Sequence, residues 1–149
     1  VSGQTGPPQP AGQPVLEEVD RLPDDLVRFY ELCGGVTLFM GQSGQIRIVR
    51  PAEFVRANPV IVGELCQSDR SYEWFIVASD DNGQYVTFDL STSRSGWCYD
   101  SFWDRHGVPG QNDILAHSFI GFLNLVVLSE GVDFYWFLSD FVSLGDAYS

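Results

Sequence analysis

The stretch that decides the fold is residues 74–90, with the sequence WFIVASDDNGQYVTFDL. Residues 74–78 are apolar without alternation, which indicates a strand buried on both faces. Asn82-Gly83 separates this run from residues 85–90, which alternate between apolar and polar side chains. Asn-Gly between two such runs predicts a hairpin, because both central residues of a type I′ turn need positive φ.

With Asn82 and Gly83 as the two loop residues, the hairpin register pairs Val77 with Phe88 and Phe75 with Leu90. Residues paired across strands share a face. One face is therefore predicted to be apolar enough for a core, with Phe75, Val77, Val86, Phe88 and Leu90. The other face is mixed and is expected to meet solvent or a partner, with Trp74, Ile76, Ala78, Tyr85, Thr87 and Asp89.

Composition favours one globular domain in a chain of 149 residues, because 44% of the residues are apolar and 14% are aromatic. Twenty acidic residues against eight basic ones give a formal charge of −12. Such acidity argues against nucleic acid or an anionic membrane as the partner. It favours a basic protein partner, with plain solubility as the alternative explanation.

Cysteine usage and the absence of export signals favour a cytoplasmic protein. The three cysteines are odd in number and far apart, which predicts free thiols in a reducing compartment. No secretory signal opens the chain, and no run approaches the roughly 20 apolar residues of a spanning helix. Residues 1–14 are rich in Gly, Pro and Gln and are predicted to be a disordered linker or tag remnant. Residues 15–149 are predicted to form the domain.

The remaining elements follow from caps and periodicity. Pro23 is predicted as the first residue of a helix that ends at Gly34-Gly35, and Ser118 as the cap of a mostly buried helix running to about residue 129. Strands are predicted at 36–39, 45–49 and 97–99, the last beside residues 85–90, with a helical turn at 51–56. Residues 58–71 stay open between loop and weak helix, residues 132–138 between helix and strand, and residues 139–149 are predicted to be a loosely specified acidic tail.

An ordered set of motifs resembles the SUKH superfamily, which includes the yeast Smi/Knr cell-wall regulators and many bacterial immunity proteins. The set is Leu22-Pro23-x-x-Leu26, Phe29-Tyr30-x-x-x-Gly34-Gly35, Pro51-x-x-Phe54, residues 74–83 with Asp80 and Gly83, and Asp89. The resemblance spans residues 16–136. It implies a sheet packed against helices, no catalysis, and a surface that binds a protein, usually a toxin in the bacterial members. We therefore predict a single α+β domain whose mostly antiparallel sheet has about five or six strands, with helices packed on one side.

Motifs for chemistry are weak. A calcium loop with Gly83 at its sixth position would place Ala78 at the first, where a ligand is required. His106 and His117 are eleven residues apart, with no C-x-x-C nearby, and both are expected to be exposed. No phosphate-binding glycine motif and no basic patch with aromatics is present. A Cys–His pair that meets only in the fold stays open; otherwise no metal, cofactor or catalytic residue is expected.

A binding surface is what remains. Candidate residues are carboxylates near the sheet with aromatics beside them, the usual composition of interface hot spots: Glu73, Asp80, Asp81, Asp89, Trp97, Tyr99, Asp100, Trp103 and Asp104. The alternative is that Trp97 and Trp103 are core and the carboxylates a solvated rim. We expect an immunity protein, monomeric or weakly dimeric, that binds a cognate and basic toxin domain such as a nuclease. The alternatives are a regulatory or scaffold module of the Smi/Knr type and a small-molecule binder or enzyme.

Overall fold

The computed structural model describes residues 22–149, which form one six-stranded antiparallel sheet whose strand order follows the chain. The strands are β1 (Val36–Leu38), β2 (Ile46–Ile48), β3 (Trp74–Ser79), β4 (Tyr85–Asp89), β5 (Cys98–Asp100) and β6 (Ile114–Ala116). The helices of these residues are α1 (Asp24–Leu32), α2 (Ala57–Ile61) and α3 (Phe119–Leu128), with 3-10 turns at Pro51–Glu53, Arg70–Glu73 and Tyr135–Phe137. The predicted α+β class is confirmed. The predicted linker at 1–14 and the start of the domain at residue 15 lie outside the described residues.

Strand β3 is buried along its whole length, as its unbroken apolar run predicts. It lies between β2 and β4, so both of its edges are hydrogen-bonded. On one face Phe75 stacks on Phe54, with 5.4 Å between ring centroids and 9° between ring planes. The helical turn predicted at 51–56 is a 3-10 turn over Pro51–Glu53, and the buried Phe54 that follows it joins the turn to the core.

The register predicted for the β3–β4 hairpin is wrong. Ser79 pairs with Tyr85, so the loop holds five residues, 80–84, rather than two. The Asp80 carboxylate stabilises this wider loop by accepting hydrogen bonds from the backbone N–H groups of Asn82 (2.7 Å) and Gln84 (3.0 Å). The positive φ angles fall at Asp81 and Gly83, not at Asn82 and Gly83. A bulge between Ile76 and Ala78 shifts the pairing once more.

The second face of the hairpin is buried except for the half-buried Tyr85, contrary to the expectation that it meets solvent or a partner. Trp74, Tyr99, Ile114 and Ala147 form a second core cluster on that face. The chain near Ala147 covers it: the Ala147 carbonyl accepts hydrogen bonds from Arg70 (2.7 Å) and Arg94 (2.8 Å). The residues predicted to be a loosely specified tail therefore complete the core, because two arginines distant in sequence hold them in place.

The two long helices begin close to where caps predict them. Pro23 is the N-cap of α1 rather than its first helical residue. The Ser118 hydroxyl accepts a hydrogen bond from the Gly121 N–H (3.0 Å) and caps α3. The prediction that this helix is mostly buried is wrong: only Phe119, Phe122 and Val126 are buried, and Leu128 is 74% exposed. Within residues 22–149 no helix is long and apolar enough to span a bilayer.

Candidate partner-binding surface

Two of the nine candidate residues form a buried pair. Tyr99 belongs to the second core cluster, and Asp89 is buried next to it, paired across the strands with Trp74. The Tyr99 hydroxyl donates a hydrogen bond to the Asp89 carboxylate. The same carboxylate accepts the Ser91 N–H at 2.7 Å. Burial and the neighbouring Asp89 raise the pKa of Tyr99 above its usual range. This pair serves the interior of the fold, so neither side chain is available to a partner.

Asp100 is also buried and joins two loops. Its carboxylate accepts hydrogen bonds from the Gln84 side chain at 2.7 Å and from Arg105 at 3.0 Å. Burial raises the pKa of Asp100, which the Gln84 and Arg105 contacts partly offset. The Arg105 guanidinium lies 5.0 Å from the centre of the Phe102 ring. Asp100 thus fixes the loop after β5 against the end of the hairpin loop.

Glu73 and Trp97 lie at the end of the hairpin away from the 80–84 loop. The Leu90 N–H donates to the Glu73 carbonyl there, and Asp89 and Trp97 are joined by a backbone hydrogen bond. Trp97 is half-buried, with the Arg94 guanidinium 4.6 Å from its ring centre. The positive charge of Arg94 makes this end of the hairpin less acidic than the carboxylates alone would make it.

The remaining four candidates are brought together at the hairpin loop, and we call Asp80, Asp81, Trp103 and Asp104 the turn patch. The Trp103 N–H donates to the Gly83 carbonyl at 2.9 Å, so the loop after β5 lies directly on the β3–β4 loop. Trp103 is 59% exposed, and Asp81 and Asp104 are exposed as well. Asp81 pairs with Arg47 at 2.8 Å, and this hydrogen-bonded guanidinium lowers the pKa of Asp81. The turn patch is an exposed aromatic side chain among carboxylates.

Arginine side chains within residues 22–149 are engaged with groups of their own chain. Arg47 bridges Asp81 and Glu53, at 2.8 and 2.7 Å. The others contact carboxylates, carbonyls or rings, namely Arg28, Arg50, Arg56, Arg70, Arg94 and Arg105. With a formal charge of −12, carboxylates outnumber the guanidinium groups of the chain.

Histidine placement differs from the expectation that both are exposed. His117 is exposed and packs on Trp97, with ring centres 4.5 Å apart. His106 is only 6% exposed, and its Nε2 lies 2.6 Å from Asn58 Oδ1. Burial lowers the pKa of His106 to about 4. Sequence reasoning missed this contact because its two members are 48 residues apart.

The three cysteines within residues 22–149 are free thiols, of which Cys33 and Cys66 are half-buried. Cys98 is buried, and burial raises the pKa of its thiol. Among residues 22–149, no group of three His, Cys, Asp or Glu side chains is placed to hold a metal ion.

Exposed apolar side chains on α3 form a second surface that sequence reasoning missed. Ile120, Leu125, Val127 and Leu128 are exposed, and Leu125 and Leu128 line a groove together with Leu138, Val142 and Leu144. An apolar helix with no charged residue predicts burial from composition alone, and only its neighbours decide how much of it is covered.

Comparison with known proteins agrees with the expected family. Residues 17–125 match the family model of the SMI1 / KNR4 family (SUKH-1), a range that contains all six strands. The chain therefore belongs to this family, and the resemblance predicted from its motifs is confirmed. It is similar to immunity protein YokJ of Bacillus subtilis (strain 168), with 50% identity over 137 residues, which cover 92% of this chain and 83% of YokJ. No solved structure matches the chain.

Proposed function

We propose that this protein is a non-catalytic immunity protein that binds a cognate toxin domain and neutralises it. The observation that carries the proposal is the 50% identity, across 92% of the chain, to a protein named as an immunity protein. Membership of the SMI1 / KNR4 family supports the same role.

The charge of the chain supports a basic toxin, with a nuclease as the typical case. The formal charge is −12, and the arginines of the described residues are engaged within the chain. A partner of opposite charge is attracted over a Debye length and associates faster than a neutral one. An acidic surface also repels other acidic proteins, which adds selectivity.

The turn patch is the part of this surface that fits a partner best. Asp104 presents negative charge to solvent, Asp81 shares its charge with Arg47, and Trp103 supplies apolar area beside them. Asp80 has a different role, because its carboxylate holds the loop in shape. A stable complex buries about 800 Å² on each partner, so the turn patch is the centre of a larger contact. Neutralisation then needs no chemistry: the bound protein blocks the toxin's active site or an adjacent exosite.

The experiment that tests this proposal measures binding to the toxin domain encoded beside this gene. We expect titration calorimetry to give nanomolar or tighter binding that weakens as salt rises. In stopped-flow kinetics, Asp104→Lys should slow association roughly three- to tenfold at low salt, because it reverses a charge inside the patch.

The matched control is Asp140→Lys, which makes the same change of charge at an exposed residue beside α3. Equal effects of the two variants would mean that the overall charge, and not the turn patch, steers association. Tight binding that ignores salt would keep the immunity role and remove the electrostatic argument. No binding to the neighbouring toxin would refute the immunity role and favour the Smi/Knr-type regulatory module.

A further inference from the structure

Trp103 differs from the other three tryptophans of the chain in how much of it meets solvent. Trp74 and Trp136 are buried, and the half-buried Trp97 lies against the Arg94 guanidinium. Trp103 is 59% exposed. A large exposed indole is costly to hydrate, and covering it in a complex recovers that free energy.

The Trp103 indole is held in one place although it is exposed. Its backbone N–H donates to the Gly83 carbonyl, and its ring lies against the Gly83 backbone: a Cβ added to Gly83 would come within 2.7 Å of Trp103 Cδ1. The Phe102 ring also lies near it, with ring centres 6.1 Å apart and the ring planes tilted by 48°. Phe102 in turn packs under Arg105, which is paired with the buried Asp100. A side chain fixed before binding loses little entropy when it binds.

Gly83 therefore has two functions. Its φ of +98° requires a residue without a Cβ for the turn itself, and the missing side chain also leaves the space that the indole occupies. The turn and the exposed aromatic are built as one unit, so the position of Trp103 depends on a residue 20 positions earlier.

We propose that Trp103 is the hot-spot residue of the interface, and that the partner offers it an apolar pocket rimmed by lysine or arginine side chains. The inference rests on the proposed function and adds the chemistry of the partner's surface. A fixed aromatic side chain enters the pocket, and the exposed Asp104 pairs with the basic rim, while Asp81 stays paired with Arg47. This is the arrangement of most interface hot spots, in which a central aromatic contributes most of the affinity and surrounding contacts exclude water.

The test compares three variants for affinity and dissociation rate against the toxin domain encoded beside this gene. Trp103→Ala removes the indole, and we expect about 30-fold weaker binding or more, mainly through faster dissociation. Trp103→Phe keeps an aromatic ring and should retain part of the affinity. Gly83→Ala leaves the indole in the chain but displaces it, and we expect roughly five- to tenfold weaker binding.

The matched control for Gly83→Ala is Gly63→Ala. Gly63 has a φ of +86°, so alanine there introduces similar backbone strain, but no atom lies within 4 Å of the added Cβ. We expect Gly63→Ala to bind within about twofold of the unmodified protein. Thermal unfolding of each variant, followed by circular dichroism, separates lost binding from lost folding.

The outcomes separate this inference from the proposed function. If the unmodified protein binds the toxin and Trp103→Ala binds within about twofold, the Trp103 inference is overturned and the immunity role stands. If Gly83→Ala and Gly63→Ala bind equally, Gly83 does not position the indole. If the unmodified protein does not bind the toxin at all, both proposals fall.

Discussion

Acidification should destabilise this protein through one buried side chain, His106. Its imidazole is 6% exposed, and its Nε2 lies 2.6 Å from Asn58 Oδ1. The Asn58 amide nitrogen donates to the Ser71 hydroxyl and the Leu65 carbonyl, so its oxygen is the acceptor, and the neutral imidazole donates from Nε2. Protonation adds a charge in a site where burial opposes it. Only Asp69 favours the charged form, and it does so more weakly than burial opposes it.

The magnitude follows from the two pKa values of His106. The pKa is about 6.5 in the unfolded chain and about 4 in the folded protein. The unfolded chain therefore binds a proton at a higher pH than the folded protein does. The stabilisation is fully present above about pH 6.5 and is lost as the pH falls to about 4. Since each tenfold change in proton affinity corresponds to about 1.4 kcal/mol, the loss is roughly 3 kcal/mol.

Urea denaturation at a series of pH values between 7.5 and 4.5 measures this effect. Carboxylates also titrate in that range, so the informative quantity is the difference in unfolding free energy between the unmodified protein and His106→Gln. We expect that difference to fall by roughly 2–3 kcal/mol from the upper to the lower pH. His117→Gln is the matched control, because it removes an exposed imidazole. The reasoning is refuted if the His106 ring titrates near pH 6.5 by NMR, or if the difference stays constant with pH.

Two further predictions concern the core and a helix end. Tyr99→Phe removes the hydroxyl that donates to the buried Asp89 carboxylate, so urea denaturation should show a loss of about 2 kcal/mol; a loss under about 0.5 kcal/mol would contradict the role assigned to this pair. Ser118→Ala removes the side-chain cap of α3, and the unfolding free energy should fall by about 1 kcal/mol. Ser118→Thr keeps a hydroxyl acceptor at the cap without adding a carboxylate beside Asp25, which accepts the Ile120 N–H, and should stay close to the unmodified protein; equal losses in both variants would count against the cap.

Strands and helices were predicted correctly where the signal for them lies within a few neighbouring residues. The apolar run at residues 74–78 is a fully buried strand, and Ser118 caps a helix whose bounds are Phe119–Leu128. The short strand Ile114–Ala116 was not predicted, because three residues carry too little periodicity to be distinguished from a loop. The antiparallel pairing of β3 with β4 was predicted correctly, but the register of that pairing was not. The Asn-Gly signal favours a two-residue turn, whereas the Asp80 carboxylate stabilises a five-residue loop.

The sequence predicted which residue types make up the candidate surface, but not which of those residues are exposed. Acidic and aromatic residues near the sheet were identified, and the turn patch is one subset of them. Sequence could not separate Asp89, Tyr99 and Asp100 from this subset, because neither residue type nor the neighbouring residues show which side chains a distant segment covers. Their burial depends on segments that arrive from elsewhere in the chain, such as the one around Ala147.

The sequence by itself determined the α+β class, the family, the acidity and the central hairpin, because strand periodicity, turn residues and net charge are local or additive properties. Only the tertiary structure decided which face of the hairpin is covered, which carboxylates are internal and which aromatic is exposed. Those outcomes depend on contacts between residues far apart in the chain. Trp103 lies on Gly83, His106 contacts Asn58, and Arg70 holds Ala147. No pattern within a short window of sequence encodes such contacts, because each depends on how the whole chain packs.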